Sequence, residues 1–105
     1  MDDDDLTPDE ATEDELWELL NDASGVDRAR ILHELGGRAF SDREYEQSVA
    51  LAESAAVQAR EVGDELLTAR SLFGQAAGLR RLGRTEELIE VAERASGDAA
   101  TDWDL

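Results

Sequence analysis

From Glu13 onward, apolar residues recur three and four positions apart, glycine and proline seldom interrupt, and β-branched residues are sparse. That spacing predicts helices and no strand. Helix 1 is expected over about Glu13 to Asp22. It is started by Thr12-Glu13-Asp14-Glu15, a capping hydroxyl with a glutamate three residues on, and ended by Ser24-Gly25. Thr7-Pro8-Asp9-Glu10 has the same starting form. The inward face of helix 1 is Leu16, Trp17, Leu19 and Leu20, with Trp17 read as core. Helix 2 covers about Val26 to Phe40 and turns Ile31, Leu32, Leu35 and Ala39 inward. Ser41-Asp42-Arg43-Glu44 reads as a further capping box that starts helix 3, which continues to Gly63. Helix 4 is expected from about Asp64 to Leu82, where Gly83 stops it, and Thr85 begins helix 5, which ends near Ser96-Gly97.

The helices repeat. "YEQSVALAESA" at 45–55 returns as "TEELIEVAERA" at 85–95, with Glu46, Ala52, Glu53 and Ala55 matched by Glu86, Ala92, Glu93 and Ala95. A shift of forty residues lays helix 2 on helix 4 and helix 3 on helix 5, pairing Arg30 with Arg70, Leu32 with Leu72, and Gly36 with Ala76. Small residues at matched places mark where helices must approach closely, and the short links imply antiparallel hairpins stacked on one another. In this the chain resembles the tetratricopeptide-repeat (TPR) family in its longer-period form. The first unit carries Leu32, Leu35, Gly36, Tyr45, Ser48, Ala52 and Ala55, and the second Leu72, Ala76, Leu79, Gly83, Leu88, Ala92 and Ala95. There are departures: Leu35 is answered by Gln75, Arg43 stands where the family usually has glycine, Leu88 stands where a small residue is common, and neither unit has the closing proline.

The resemblance implies an all-α fold of antiparallel helical hairpins stacked as a short TPR-like array of about five helices. The expected organisation is a disordered acidic arm at 1–12, a helical domain at 13–97 with repeats at about 28–63 and 68–96, and a flexible acidic tail at 98–105. Helix 1 is then a cap, or the leftover second helix of an earlier unit. In the resembled fold the first helix of each pair lines a concave groove.

Charge sharpens the picture. Residues 1–27 hold twelve acids and no base, residues 28–97 have a net charge of −2, and residues 98–105 add three acids, together giving −17. Such a molecule is repelled by nucleic acid phosphates. All ten basic residues are arginine. Abundant acid with lysine excluded resembles proteins of salt-in halophiles, whose hydrated carboxylates stay soluble while salt screens their repulsion. Without cysteine, disulfides, thiolate catalysis and thiolate metal sites are excluded together. "MDDDD" is the opposite of the positively charged start of a secretory signal, and no apolar run of about 18 residues offers a membrane span, so a cytoplasmic location is expected.

On helix 2 the residues beside the apolar face are Arg30, His33, Gly37 and Phe40; on helix 4 they are Arg70, Phe73, Ala77 and Arg80. Arginine can grip a carboxylate bidentately and phenylalanine can anchor an apolar side chain, so this strip suits an acidic, partly hydrophobic peptide. The same spacing also fits Phe40 and Phe73 completing the packing between helices. Some members of the resembled family clamp a peptide's terminal carboxylate with lysine, arginine and asparagine; Gly37 and Ala77 stand where the asparagines would fall, so that clamp is not supported.

His33 is the only histidine, and "HELGG" lacks the second histidine of a helical zinc site, so no metal site is expected. The Asp2 to Asp5 run lacks the glycine and terminal glutamate of a calcium loop, and Gly36-Gly37 is better explained by helix packing than by phosphate binding. No cofactor is expected. Trp103 and Leu105 form an apolar end on the acidic tail, which could dock against Arg70, Phe73 and Arg80 in the same molecule or in a second copy. The expected function is a non-enzymatic interaction module binding an acidic or carboxylate-ended segment of another protein. The alternatives are a homodimeric structural array and, third, an enzyme or small-ligand sensor.

The charge distribution makes a first prediction. Between dilute buffer and molar KCl the thermal midpoint should rise by several degrees, as screening relieves carboxylate repulsion. A midpoint that stays level, measured by circular dichroism, would remove the halophile reading.

Overall fold

The computed structural model describes residues 10–103, with side chains as far as residue 95. The chain is all-α, with five helices: α1 (Glu13–Asp22), α2 (Gly25–Ser41), α3 (Tyr45–Glu61), α4 (Glu65–Leu82) and α5 (Thr85–Trp103). Each packs on the next in sequence, and α2 also touches α4. The hairpins are antiparallel. Gly25 at the start of α2 faces Val62 just past the end of α3, whereas Gly36 farther along α2 faces Ala52. α4 runs back along α3 in the same way, with Gly74 opposite Ala52 and Gly78 opposite Val49.

Three reversals occur at a constant pitch. Arg43 (φ 64°), Gly63 (φ 76°) and Gly83 (φ 72°) are left-handed and stand twenty residues apart. In each turn the next residue's N–H donates back to a carbonyl in the last turn of the helix: Glu44 to Ala39 at 2.8 Å, Asp64 to Ala59 at 3.0 Å, and Arg84 to Leu79 at 3.0 Å. The left-handed residue itself donates to Phe40, Arg60 and Arg80 respectively. This is the Schellman closure, which satisfies helix-end carbonyls and normally uses glycine. Two twenty-residue steps make the forty-residue repeat.

This closure overturns the capping box expected at Ser41 to Glu44. α2 continues through Ser41, Arg43 makes the left-handed turn, and α3 begins at Tyr45 with Glu44 at its N-cap and no side-chain capping bond. Elsewhere side chains do cap. Thr12 and Glu15 form the reciprocal box of α1, and the Asp64 carboxylate accepts the Leu67 N–H at 3.0 Å. Residues 7–9 of the Thr7 starting form lie outside the described residues. α5 also runs past its expected end at Ser96-Gly97, to Trp103. A lone glycine costs a helix only about 1 kcal/mol, and the alanines at 99 and 100 favour helix strongly.

α3 lies at the centre, buried on two sides. Leu51 and Ala55 join Leu16, Leu20, Ile31, Leu32, Leu35 and Ala39 in one core, while Val49 and Ala56 join Leu72, Leu79 and Val91 in another. Small residues bring the backbones together. A Cβ on Gly36 would stand 3.4 Å from the Ala52 nitrogen, and the Ser48 hydroxyl donates across the same contact to the Gly36 carbonyl at 2.9 Å. A Cβ on Gly78 would stand 2.6 Å from a methyl of Val49. Gln75, the residue that answers Leu35, is buried with its carbonyl oxygen unpaired.

α1 corrects the sequence reading. Leu16 and Leu20 are buried, but Trp17 is 38% exposed and Leu19 47%, so Trp17 is not core. Among the described residues the backbone of α1 comes close only to α2. A helix with one neighbour buries one stripe, and Leu16 and Leu20 are that stripe.

Two tests follow from the turns and close contacts. Gly78→Ala should destabilise, because overpacking against stiff Val49 outweighs the gain in helix propensity, whereas Gly37→Ala, with no atom within 4 Å, should stabilise by about 0.5–1 kcal/mol. Arg43→Gly should stabilise by about 1 kcal/mol by relieving the left-handed backbone. Urea unfolding checks all three, and effects of one sign for Gly78→Ala and Gly37→Ala would contradict the packing described.

Candidate functional site

The forty-residue step places α2 and α4 side by side, running the same way. His33 of α2 has its Nδ1 3.4 Å from the Ser71 hydroxyl of α4, and farther along the Arg81 guanidinium lies over the Phe40 ring at 5.8 Å. The six predicted groove residues therefore belong to one pair of adjacent helices, but they do not share one role.

Arg30, Arg70 and Arg80 are exposed and have no hydrogen-bond or ion-pair partner among the described residues. Phe73 is 66% exposed, the largest value among the large apolar residues described. Phe40 is half-buried instead. Its ring meets Tyr45 edge-on, with centroids 5.3 Å apart at 65°, while Arg81 covers it. It seals the joint where α2 ends, α3 begins and α4 ends. Of the two alternatives left open for the phenylalanines, packing describes Phe40 and exposure describes Phe73.

Leu66, which the sequence reading missed, is 62% exposed seven residues before Phe73. Leu66, Arg70, Phe73, Ala77 and Arg80 are separated by four, three, four and three residues, which lines them along one side of α4. The signal was available as an i, i+7 pair of large apolar residues, but Leu66 sits in the first turn beside Leu67, and spacing alone does not say which of the two leucines is buried. α4 contains Arg70, Arg80 and Arg81 against a single acid, Glu65, making it a cationic helix in an acidic protein. Arg84, just beyond, is engaged bidentately by Glu87 at 2.8–2.9 Å.

His33 is half-buried between the two helices. Burial, with a further contribution from the Arg70 charge, holds its imidazole below the usual pKa, and Glu34 pulls the other way. The neutral ring can accept the Ser71 hydroxyl proton at Nδ1. A serine beside a histidine is also part of a nucleophilic dyad. Ser71, however, has 0% exposure, so no substrate can reach its oxygen.

A cavity of about 320 Å³ opens beside this face, lined by Glu13, Glu34, Gly37, Arg38, Ser41 and Asp42. Gly37 shapes it by leaving the space of a side chain empty. Arg38 is bound to Glu34 at 2.9 Å, so this opening is dominated by carboxylates and contrasts with the cationic stripe on α4.

Among the described residues no group of three or more metal-ligating side chains is assembled, and no helix is long and apolar enough to cross a membrane. The side chains of Trp103 and Leu105, predicted to dock on Arg70, Phe73 and Arg80, lie outside the described residues. No protein-family model, curated protein or solved structure matches the chain, so the chemistry of the face stands on its own.

The buried imidazole sets a pH dependence. Because its folded pKa is lowered, His33 favours the fold above the unfolded value of about 6.5, and that stability is lost as pH falls through the depressed folded value. Between pH 7 and 5, where most carboxylates stay ionised, the intact protein should lose thermal stability faster than His33→Gln. Parallel midpoint curves for the two would show that His33 is not the group responsible.

Proposed function

We propose that the chain is a short TPR-like array that binds an acidic, partly apolar segment of another protein along α4, with Arg30 of α2 at its border. The observation that carries this is exposed Phe73 flanked along α4 by Arg70 and Arg80, which have no partner among the described residues, in a molecule of net charge −17. Acids outnumber bases almost threefold, 27 to 10, yet Arg30, Arg70 and Arg80 have no partner among the described residues. Guanidinium groups held apart from the protein's own carboxylates are available to carboxylates from outside. Leu66 and Phe73 supply apolar anchors, and the half-buried Ala77 leaves room beside them. This reading is non-catalytic, with the bound segment recognised and left unchanged.

A second reading, self-assembly, is favoured by one comparison. Val49 of α3 is 7% exposed beneath α4, whereas its repeat equivalent on α5, Ile89, is 51% exposed, and Ala92 is open where Ala52 is buried. The outer side of α5 thus has the residues that receive another helix in α3. A concentration-dependent mass in sedimentation, lost in Ile89→Glu, would favour it.

The first reading is tested with a dye-labelled hexapeptide of alternating glutamate and leucine, followed by fluorescence anisotropy at fixed ionic strength. Arg70→Ala with Phe73→Ala should weaken binding roughly tenfold or more, while helicity is unchanged because both side chains are exposed. Equal binding by the intact and doubly substituted proteins would place the recognition surface elsewhere.

A further inference from the structure

The segment leading into α1 has the composition that the α4 stripe selects. Residues 2–9 read "DDDDLTPD", five carboxylates around one leucine and no base. They lie outside the described residues, but their point of attachment is well defined. Ala11 is buried in the α1–α2 core, Thr12 caps α1, and Glu13 lines the cavity beside Gly37. The segment therefore leaves the fold next to the α2 strip that carries Arg30 and His33.

Charge decides where it can go. At its root stand Glu13, Glu34 and Asp42, with Arg38 already bound to Glu34. These repel a run of aspartates. Farther along are Arg30, Arg70 and Arg80, without partners among the described residues, with Phe73 and Leu66 exposed. Eight extended residues span about 26–29 Å. The distance back along α2 from Gly37 to Arg30 is about 10 Å, and neighbouring helices lie about 8–10 Å apart. The segment is long enough to reach α4.

We propose that residues 2–9 occupy the α4 stripe in cis, with the aspartates on Arg30, Arg70 and Arg80 and Leu6 against Phe73, so that an external acidic segment must displace them. This rests on the reading of that stripe as a carboxylate-binding surface. A tethered competitor has an effective concentration in the millimolar range, enough to weaken an external ligand without blocking it.

The test uses the full chain in three forms: intact, Asp2 to Asp5 all changed to Asn, and a control with Glu46, Glu53, Glu61 and Glu90 changed to Gln. The last two have the same net charge, but the control alters exposed positions on α3 and α5. Titrated with the labelled glutamate-leucine hexapeptide, the arm variant should bind roughly three- to tenfold tighter than the intact chain, with the control close to intact. The Phe73 ring resonances should also shift between the intact chain and the arm variant before peptide is added, and not in the control.

Equal tightening in both variants would mean that only overall charge matters and would overturn the proposal. Equal binding by all three, with unmoved Phe73 signals, would overturn it while leaving the stripe as a binding surface. If the hexapeptide binds none of them, the proposed function fails, and the Phe73 signals still decide whether the arm is docked.

Discussion

The close approach of α3 to both its neighbours is what the rest of the molecule depends on. Gly36, Ala52, Gly74 and Gly78 remove side-chain volume along two seams, so backbones rather than long side chains meet there. Dispersion contacts are dense at such spacing, and the Ser48 hydroxyl can reach the Gly36 carbonyl across the gap. With α3 drawn in from both sides, α2 and α4 touch each other, and Ala29, Ala59 and Leu67 tie the three helices together. The proposed binding face exists because of that contact. A thicker α3 would part α2 from α4, and His33 would no longer reach Ser71.

The constant turn pitch adds the second constraint. Because three reversals fall twenty residues apart, every second helix returns in the same direction and nearly the same phase. Residues forty apart in sequence therefore become lateral neighbours across α2 and α4. The forty-residue repeat thus yields a two-helix surface, and its chemistry lies in where the units differ: aromatic Phe73 stands where α2 has His33, and Arg80 where α2 has Phe40.

Much of the fold could be read from spacing. Helix existence, the forty-residue repeat and the small residues at the seams all follow from period and residue size. Depth was harder. The period gives the direction in which Trp17 points but not how many helices stand there to cover it, and with α2 alone among the described helices close to the α1 backbone it stays partly exposed. Phe40 and Phe73 lie on the same predicted strip, but Phe40 is one residue from the helix end, where Tyr45 comes back to meet it. At Ser41 to Glu44 two local patterns competed, and the Schellman closure prevailed although its left-handed residue is arginine. The arginines were readable as a strip; that Arg30, Arg70 and Arg80 are unpaired while Arg84 is engaged depends on geometry that spacing does not contain.

The unpaired arginines also bear on how a partner would be recognised as the medium changes. In dilute solution the net charge of −17 repels an acidic partner at long range, and the cationic helix attracts it only at close quarters. At molar salt the screening length shrinks to about 3 Å, roughly the length of one hydrogen bond, and that repulsion disappears. Selection then passes to what touch alone can sense, the planar fork of a guanidinium on a carboxylate and the fit of an aliphatic group against Phe73. In brine such a surface would be easier for its ligand to reach than in dilute buffer, and no less discriminating once the two had met.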